Sequence, residues 1–456
     1  MIHRYVKNGL NFVLDVNSGA VHLLDEIGYA VAGLIDKDMA EDCPQSVVEA
    51  LPQYPEDEVR EAYDELYELK KAGQLFADDD YIDVSKYVPA GAPVKALCLH
   101  VAHDCNLRCT YCFASTGDFG KGRKIMPPEV AKKAIDFVIA RSGKRHNIEV
   151  DFFGGEPLMA WDTVVQTVEY ARGLEQKFNK KFRFTITTNG LLLDEEKRAY
   201  INENMANVVL SIDGRPEVND EFRKTVSGAG SYDTILPRFK ALVDARDPEK
   251  DYYARGTFTS HNLDFADDVL HIADAGFESL SVEPVTADHG CGYDLTEEDL
   301  PKIMVEYDRL TEMILERRRE GKPFSFFHFV VDLDQGPCVI KRLRGCGAGY
   351  EYVAVTPDGD IYPCHQFVGK DEYKQGNVLD DTFDMGIAEE FAGMNIYTRP
   401  KCQKCWAKFY CSGGCSAANY NMNHNLNDSY DLGCELERKR LECAIYLKAM
   451  EKLEVD

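Results

Sequence analysis

The chain reads as an α/β protein: a partial (β/α)6 TIM-type barrel, with a small strand-and-helix unit ahead of it and a cysteine-rich region behind. Three observations predict this. Strand-like and helical segments alternate between residues 94 and 320. The first 80 residues hold short strand-like runs broken by turn signals and then three helical patterns. The 15 cysteines are clustered, with three in 105–112 and nine of the other twelve beyond residue 330.

In residues 1–80, the run HRYVKNGLNFVLDVNSGAVHLLD divides into three strands at Asn8-Gly9 and Asn17-Ser18-Gly19. EIGYAVAGLI, SVVEAL after Pro44, and EDEVREAYDELYELKKAG between Pro55 and Gly73 follow as helices. Three strands with three helices suggest a winged-helix-like unit, which raises the question of DNA. Residues 1–88 carry 7 Lys and Arg against 19 Asp and Glu, a net −12 that repels phosphate. A strand edge that pairs with an extended peptide fits better. Asp78-Asp79-Asp80 and the stretch from Pro89 to Pro93 read as a linker.

In 94–320 the strands are VKALCLHVA, IEVDFFGG, FRFTITTNG, VVLSIDG, YARGTFTS and SLSVEPV, each separated from the next by a helical segment. Such alternation implies parallel strands with crossover helices. Chemistry on this architecture gathers at the C-terminal ends of the strands. HDCNLRCTYC follows the first strand directly, so Cys105, Cys109 and Cys112 lie at that end. Their C-x3-C-x2-C spacing suits a four-iron cubane with one iron left open to substrate, which marks catalysis rather than structure. A zinc knuckle with a remote ligand is the competing reading. Beyond 330, short strands, turns and thiols dominate, as in a region organised by metals. The last stretch, ELERKRLECAIYLKAMEKLE, is an amphipathic helix predicted to pack on the barrel.

The net charge of −26 disfavours a general nucleic-acid surface. No run of eighteen apolar residues and no apolar signal core appear, so the expectation is a cytoplasmic protein without a membrane partner, its cysteines thiols or metal ligands.

The triplet, with Tyr111 as its aromatic, and Gly154-Gly155-Glu156-Pro157 closing the second strand resemble the radical S-adenosylmethionine (SAM) superfamily. A glycine pair permits close approach of a ligand to backbone, and the resemblance places the methionyl amino group of SAM at this segment. It further implies pocket contacts from Thr187, Thr188, Asn189 and Gly190, ribose contacts from Ser211 and Asp213, and a carboxylate contact from Arg223. The C-terminal cysteines resemble the SPASM domain. Cys346, Gly359 and Cys364 fit its opening, and Cys402, Cys405, Cys411 and Cys415 with Cys434 fit its C-x2-C-x5-C-x3-C pattern. By that resemblance, Cys402, Cys405, Cys411 and Cys434 hold one closed cluster, and Cys346, Cys364 and Cys415 hold three corners of another. Cys338 or a substrate thiolate would complete the latter.

Residues 1–80 then resemble a leader-binding domain, and the whole chain (1–80, 94–320, 330–456) resembles the maturases of SCIFF peptides. This implies three [4Fe-4S] clusters, SAM, an external one-electron reductant and a ribosomal precursor peptide bound through its leader. The implied reaction cleaves SAM, takes a hydrogen from a peptide carbon and joins a cysteine sulfur there as a thioether. Other radical peptide modifications, carbon–carbon crosslinking or sulfatase-type cysteine oxidation, share the same chemistry. A non-catalytic metal-bound adaptor is the remaining alternative. Cys43, Cys98 and Cys443 read as buried apolar residues, and Cys291 falls near the barrel mouth.

Overall fold

The computed structural model describes residues 1–84, 93–334 and 339–453, without the side chains of 339 and 340. Strands β1 (Ile2–Lys7), β2 (Leu10–Asp15) and β3 (Val21–Leu24) form an antiparallel sheet. Helices α1 (Glu26–Val31), α2 (Gln45–Ala50) and α3 (Glu56–Lys71) follow. Pro44 and Pro55 precede the last two, and Gly73, at φ +70°, follows the third. Val13, Val31, Val59, Tyr63 and Leu66 form this unit's own core. Its other face is already occupied. The β1–β2 hairpin lies on the C-terminal helix (Asp431–Leu453) and its neighbours, through His3 to Glu442 at 2.9 Å, Lys7 to Asp308, and His3 stacked on Trp406 at 3.7 Å.

The acidic stretch at 78–80, expected as a linker, is instead a point of attachment. Asp79 pairs with the nearly buried Lys408 at 2.8 Å and accepts from the Tyr397 hydroxyl, and Tyr81 packs on Phe409. Burial of the Lys408 ammonium demands a nearby counter-charge, and Asp79 supplies it. Residues 89–92 of the expected linker lie outside the described residues.

The barrel strands are β4 (Ala96–His103), β5 (Lys124–Ile125, antiparallel on β4), β6 (Asn147–Gly154), β7 (Lys181–Thr188), β8 (Asn207–Ser211), β9 (Asp251–Phe258), β10 (Ser279–Pro284) and β11 (Ser325–Phe326). Apart from β5 they are parallel and lie in the order β4-β6-β7-β8-β9-β10-β11. Helices α4 (Pro128–Arg141), α5 (Trp161–Phe178), α6 (Glu195–Asn204), α7 (Pro216–Phe222), α8 (Tyr232–Asp244), α9 (Phe265–Asp274) and α10 (Leu300–Arg319) cover the outside. Period-two alternation divides the faces. Phe152, Phe184, Ile186, Val208 and Leu210 are fully buried under the helices. Asp151, Phe153, Thr185, Thr187, Val209 and Ser211 alternate with them and are only half-buried, so they line a polar lumen.

The C-terminal region continues this sheet instead of standing apart. A strand β12 (Tyr352–Val355) pairs parallel with β4, and β13 (Asp360–Tyr362), β14 (Gly376–Asn377) and β15 (Thr382–Phe383) extend it antiparallel. The C-terminal helix packs on α10, with Leu436, Cys443 and Ile445 in the main core, as its amphipathic pattern predicts. No helix among the described residues is long and apolar enough to cross a membrane.

Candidate active site at the barrel mouth

The loop carrying Cys105, Cys109 and Cys112 leaves β4 and is fixed by backbone contacts on both sides. Arg108 N donates to Lys224 O at 2.7 Å and Thr110 N to Phe222 O at 3.2 Å. On the other side, Gly155 N donates to Ala102 O at 2.7 Å and Glu156 N to Asp104 O at 2.9 Å. A Cβ on Gly154 would stand 2.2 Å from Ala102 O, and one on Gly155 2.1 Å from Asp104 O. The glycine pair is therefore required by the protein's own cysteine loop, whereas the sequence alone suggested a ligand. Gly117, at φ +98°, closes the same contact, since its Cβ would stand 2.7 Å from Cys105 Cβ.

Glu156 is buried, and its carboxylate is already engaged. It accepts from Leu158 N at 3.0 Å, Thr188 Oγ1 at 2.8 Å and Asn189 N at 2.8 Å. Burial lifts its carboxyl to about 7 against the pull of these donors. It ties the end of β6 to the end of β7. Pro157 opens the short 3₁₀ turn that follows. Asn189 then reaches the cysteine loop, donating to Asn106 Oδ1 at 2.8 Å with Cys105 Sγ at 3.6 Å. Asp213 is fully buried, with Arg223 Nε at 2.9 Å, the Tyr111 hydroxyl at 2.5 Å and Thr257 N at 2.9 Å. The Arg223 guanidinium lies 5.6 Å from the Tyr111 ring centre. Thr187 and Ser211 face the lumen, and no side-chain bond joins them to this group. Sequence-remote residues thus form two polar brackets beside the triplet: Glu156, Thr188 and Asn189 on Cys105, and Asp213, Arg223 and Tyr111 on Cys109.

Two of the thiols are held in their protonated form in the metal-free chain. Burial, with the Glu156 charge adding to it, pushes Cys105 up to about 12. Burial likewise pushes Cys109 up to about 11, although Arg223 opposes it. Ligation to a metal would deprotonate both.

Seven further cysteines fall into two groups. Cys402, Cys405, Cys411 and Cys434 line one cavity together with Lys408, Glu437 and Arg438. Cys364 is buried within reach of the charges of Cys415 and Cys346. Burial, then Cys402, raises Cys434 to about 11. The grouping is that of the two sets the SPASM resemblance implies, and four thiols around one cavity fit a closed cluster. Among the described residues no three His, Cys, Asp or Glu side chains converge on a single-ion geometry. Cys338 lies outside the described residues. Cys43, Cys98 and Cys443 are buried, and Cys291 is exposed, its Sγ 3.8 Å from Asp294.

Residues 99–251 match the radical SAM superfamily, and residues 346–406 match SPASM, an iron-sulfur cluster-binding domain. The chain carries a radical SAM domain followed by a SPASM domain. Relatives include a cysteine-type anaerobic sulfatase-maturating enzyme of Clostridium perfringens, 26% identical over 71% of this chain and 89% of that one. Another is the mycofactocin maturase MftC of Mycobacterium ulcerans, 27% identical over 72% and 84%. In fold, the chain resembles anSMEcpe with bound AdoMet and Kp18Cys peptide, at TM-score 0.64, 22% identity, 78% of this chain and 99% of that one. Streptococcus suis SuiB bound to precursor peptide SuiA gives TM-score 0.54 and 16% identity over 95% and 100%.

Sequence reading missed part of the lumen of the radical SAM domain. Glu283 lies 2.9 Å from His328 Nε2, accepts from Ser281 Oγ at 2.8 Å and faces Arg255 at 3.6 Å. Against the upward push of burial, His328 and Arg255 hold its carboxyl far below the usual range. His328 Nδ1 in turn meets Arg440 at 2.7 Å. His100 Nδ1 and His103 Nε2 hydrogen-bond at 3.2 Å at the base of the cysteine loop, their rings edge-on, beside Phe119. Burial depresses His365 to about 4, with Arg255 adding to the effect, so it is neutral at pH 7. An inward-facing acid near the end of a predicted strand was a legible signal for Glu283. His328 and Arg440 carried none, because only tertiary packing brings them there.

Proposed function

We propose that this protein is a SAM-dependent radical enzyme that crosslinks a small cysteine-rich ribosomal peptide, joining cysteine sulfur to a backbone carbon as a thioether. The observation that carries the reading is the grouping of ten cysteines into three sets, one at the barrel mouth and two in the C-terminal region. A cluster at Cys105, Cys109 and Cys112 would supply the electron that cleaves bound SAM, and clusters on the seven C-terminal cysteines would take up the electron released by crosslinking.

The chain's own residues do the positioning. Asn189 and the Glu156 bracket hold the cysteine loop against β6 and β7. Tyr111, Asp213 and Arg223 form the opposite wall of the SAM pocket, with Thr187 and Ser211 on the lumen side and Gly154, Gly155 and Pro157 shaping the turn. A charge fixed inside this frame, such as Arg223, needs no reorganisation when SAM binds. Glu283, ionised at the lumen, offers a fixed negative charge to the peptide entering above it.

Residues 1–80 would hold the leader. β1 is docked on the protein, whereas β3 has, among the described residues, only β2 as its strand partner, leaving an edge for a peptide strand. Holding the leader raises the local concentration of the core peptide. The 95% span of the fold likeness to SuiB, a protein solved with a precursor peptide, supports this use of the N-terminal unit. The resemblance to sulfatase-maturating enzymes favours cysteine oxidation as the second reading.

The test is anaerobic incubation with SAM, a reductant and a cysteine-rich peptide encoded nearby, read by mass spectrometry with and without thiol alkylation. A loss of two hydrogens with one thiol masked per link supports the thioether. Loss of two hydrogens with every thiol still alkylated supports carbon–carbon crosslinking and overturns it. No deoxyadenosine overturns the radical reading.

A further inference from the structure

Arg399 is 2% exposed and sits among the C-terminal cysteines. It is the N-cap of the short helix Pro400–Gln403 that carries Cys402, and its side chain reaches across to the loop between Cys411 and Cys415. There Nη1 donates to Gly413 O at 2.7 Å, and Nη2 approaches Ser416 Oγ at 3.2 Å, Leu426 O at 3.3 Å and Met394 Sδ at 3.8 Å. A Cβ on Gly413, at φ +88°, would stand 2.1 Å from Nη1. The Cys411–Cys415 loop is shaped around the guanidinium.

What Arg399 lacks is a carboxylate. Three other cations near these cysteines have one: Lys408 has Asp79, Arg438 has Glu435 and Arg440 has Glu437. Among the described residues no carboxylate lies within ion-pair distance of Arg399, and its buried Nε has no partner. The ionisable groups that bear on it are thiols from both sets: Cys402 and Cys411 from one, Cys415 and Cys346 from the other. A buried cation without a counter-charge is strongly unfavourable. Cubanes held by thiolates bear net negative charge, and more of it once reduced.

From this juxtaposition we infer that Arg399 is a positioning residue of the redox machinery, a fixed counter-charge shared by the two auxiliary clusters that raises the reduction potential of both. The inference rests on the clusters of the proposed function. A positive charge held at one place favours the reduced, more negative state, and in a low-dielectric interior little screens it. Because the same guanidinium touches the surroundings of both sets, its removal shifts both potentials in the same direction.

The test uses the full chain with Cys105, Cys109 and Cys112 changed to Ala, so that only C-terminal iron is observed. Iron, sulfide and the two midpoint potentials, by electron paramagnetic resonance titration, are measured with and without Arg399→Gln and Arg399→Lys. The expected result is unchanged iron and sulfide in both variants. In Arg399→Gln both clusters become at least tenfold harder to reduce, about 59 mV for one electron; Arg399→Lys stays near the parent. Unchanged potentials in an iron-loaded Arg399→Gln overturn this inference alone. If Arg399→Gln does not retain its clusters, Arg399→Lys decides. Parental iron and potentials in the lysine variant support the charge, and loss of iron there too overturns it in favour of a purely structural fork. A parent protein with no iron and sulfide at these cysteines overturns the proposed function together with the inference.

Discussion

At the barrel mouth, the triplet loop is clamped by protein. Backbone bonds to Ala102, Asp104, Phe222 and Lys224 and three glycines without room for a Cβ set its path before any metal arrives. The C-terminal cysteines are held differently. Between Arg399 and Cys434 the chain makes only helices of four to eight residues, Pro400–Gln403, Lys408–Cys411 and Ser416–Asn423, before the C-terminal helix begins. Four of the thiols surround a cavity there, and among the described residues no carboxylate pairs with the buried Arg399. The first site is a frame built by backbone contacts, whereas the second is built from short helices around a cavity. That difference matches their proposed tasks, one exchanging SAM at an open iron and the other relaying electrons.

Removal of iron should expose this contrast most strongly. After chelation, limited proteolysis should cut first within 395–430, while 96–320 stays protected, because metal binding there is folding free energy. Equal protection of both segments would break the comparison. The next largest effect belongs to the frame. Gly155→Ala drives a Cβ against Asp104 O, and overpacking of this kind costs about 1–3 kcal/mol. Thermal melting should show the loss, and iron assay should show the triplet site emptied with C-terminal iron kept.

A third test asks how well the barrel tolerates its polar lumen. Burial, with the Glu149 charge adding, raises the Asp151 carboxyl to about 6 from an ordinary 3.8, while a bond from Thr185 opposes it. The folded state therefore binds this proton more tightly than the unfolded chain. The Asp151 contribution to stability should fall as pH rises from about 4 to 6 and level off above, by at most about 3 kcal/mol, with that of Glu156 continuing to about pH 7. Asp151→Asn should reduce the slope between pH 4 and 6 in denaturant titrations of the metal-free chain; an unaltered slope would place the charge in water. The smallest effect is expected at the seam between the N-terminal unit and the rest. His3→Ala removes the stack on Trp406 and the contact to Glu442 and should cost about 0.5–1.5 kcal/mol. Hydrogen exchange should then rise in β1 and β2 and not in β6 or β7.

Much of this protein was legible in its residues. The alternation of strand and helix from 94 to 320 reflects local periodicity, and the six strands appear where the apolar runs stand. Spacing marked the triplet at 105–112 as a set of its own, but the division of the seven C-terminal cysteines into two sets came only from their resemblance to the SPASM pattern, because Cys415 stands four residues from Cys411 and Cys434 far from both. The roles of Gly154, Gly155 and Glu156 were less legible. Their partners Ala102, Asp104, Thr188 and Asn189 lie on other strands, so nothing local distinguishes a ligand contact from a backbone clamp. The acidic run at 78–80 looked like solvated linker for the same reason, since Lys408, which holds Asp79, is 329 residues away.

By itself the sequence determined which cysteines are candidates for iron, which segments alternate and where the turns fall, since periodicity, spacing and turn chemistry act over a few residues. Only the tertiary structure decided that β12 joins the C-terminal region to the barrel sheet, that Glu283, His328 and Arg440 meet, and that among the described residues Arg399 is left without a carboxylate. Those outcomes depend on which distant groups share a dry interior, where every buried charge must find a partner among whatever the fold brings near.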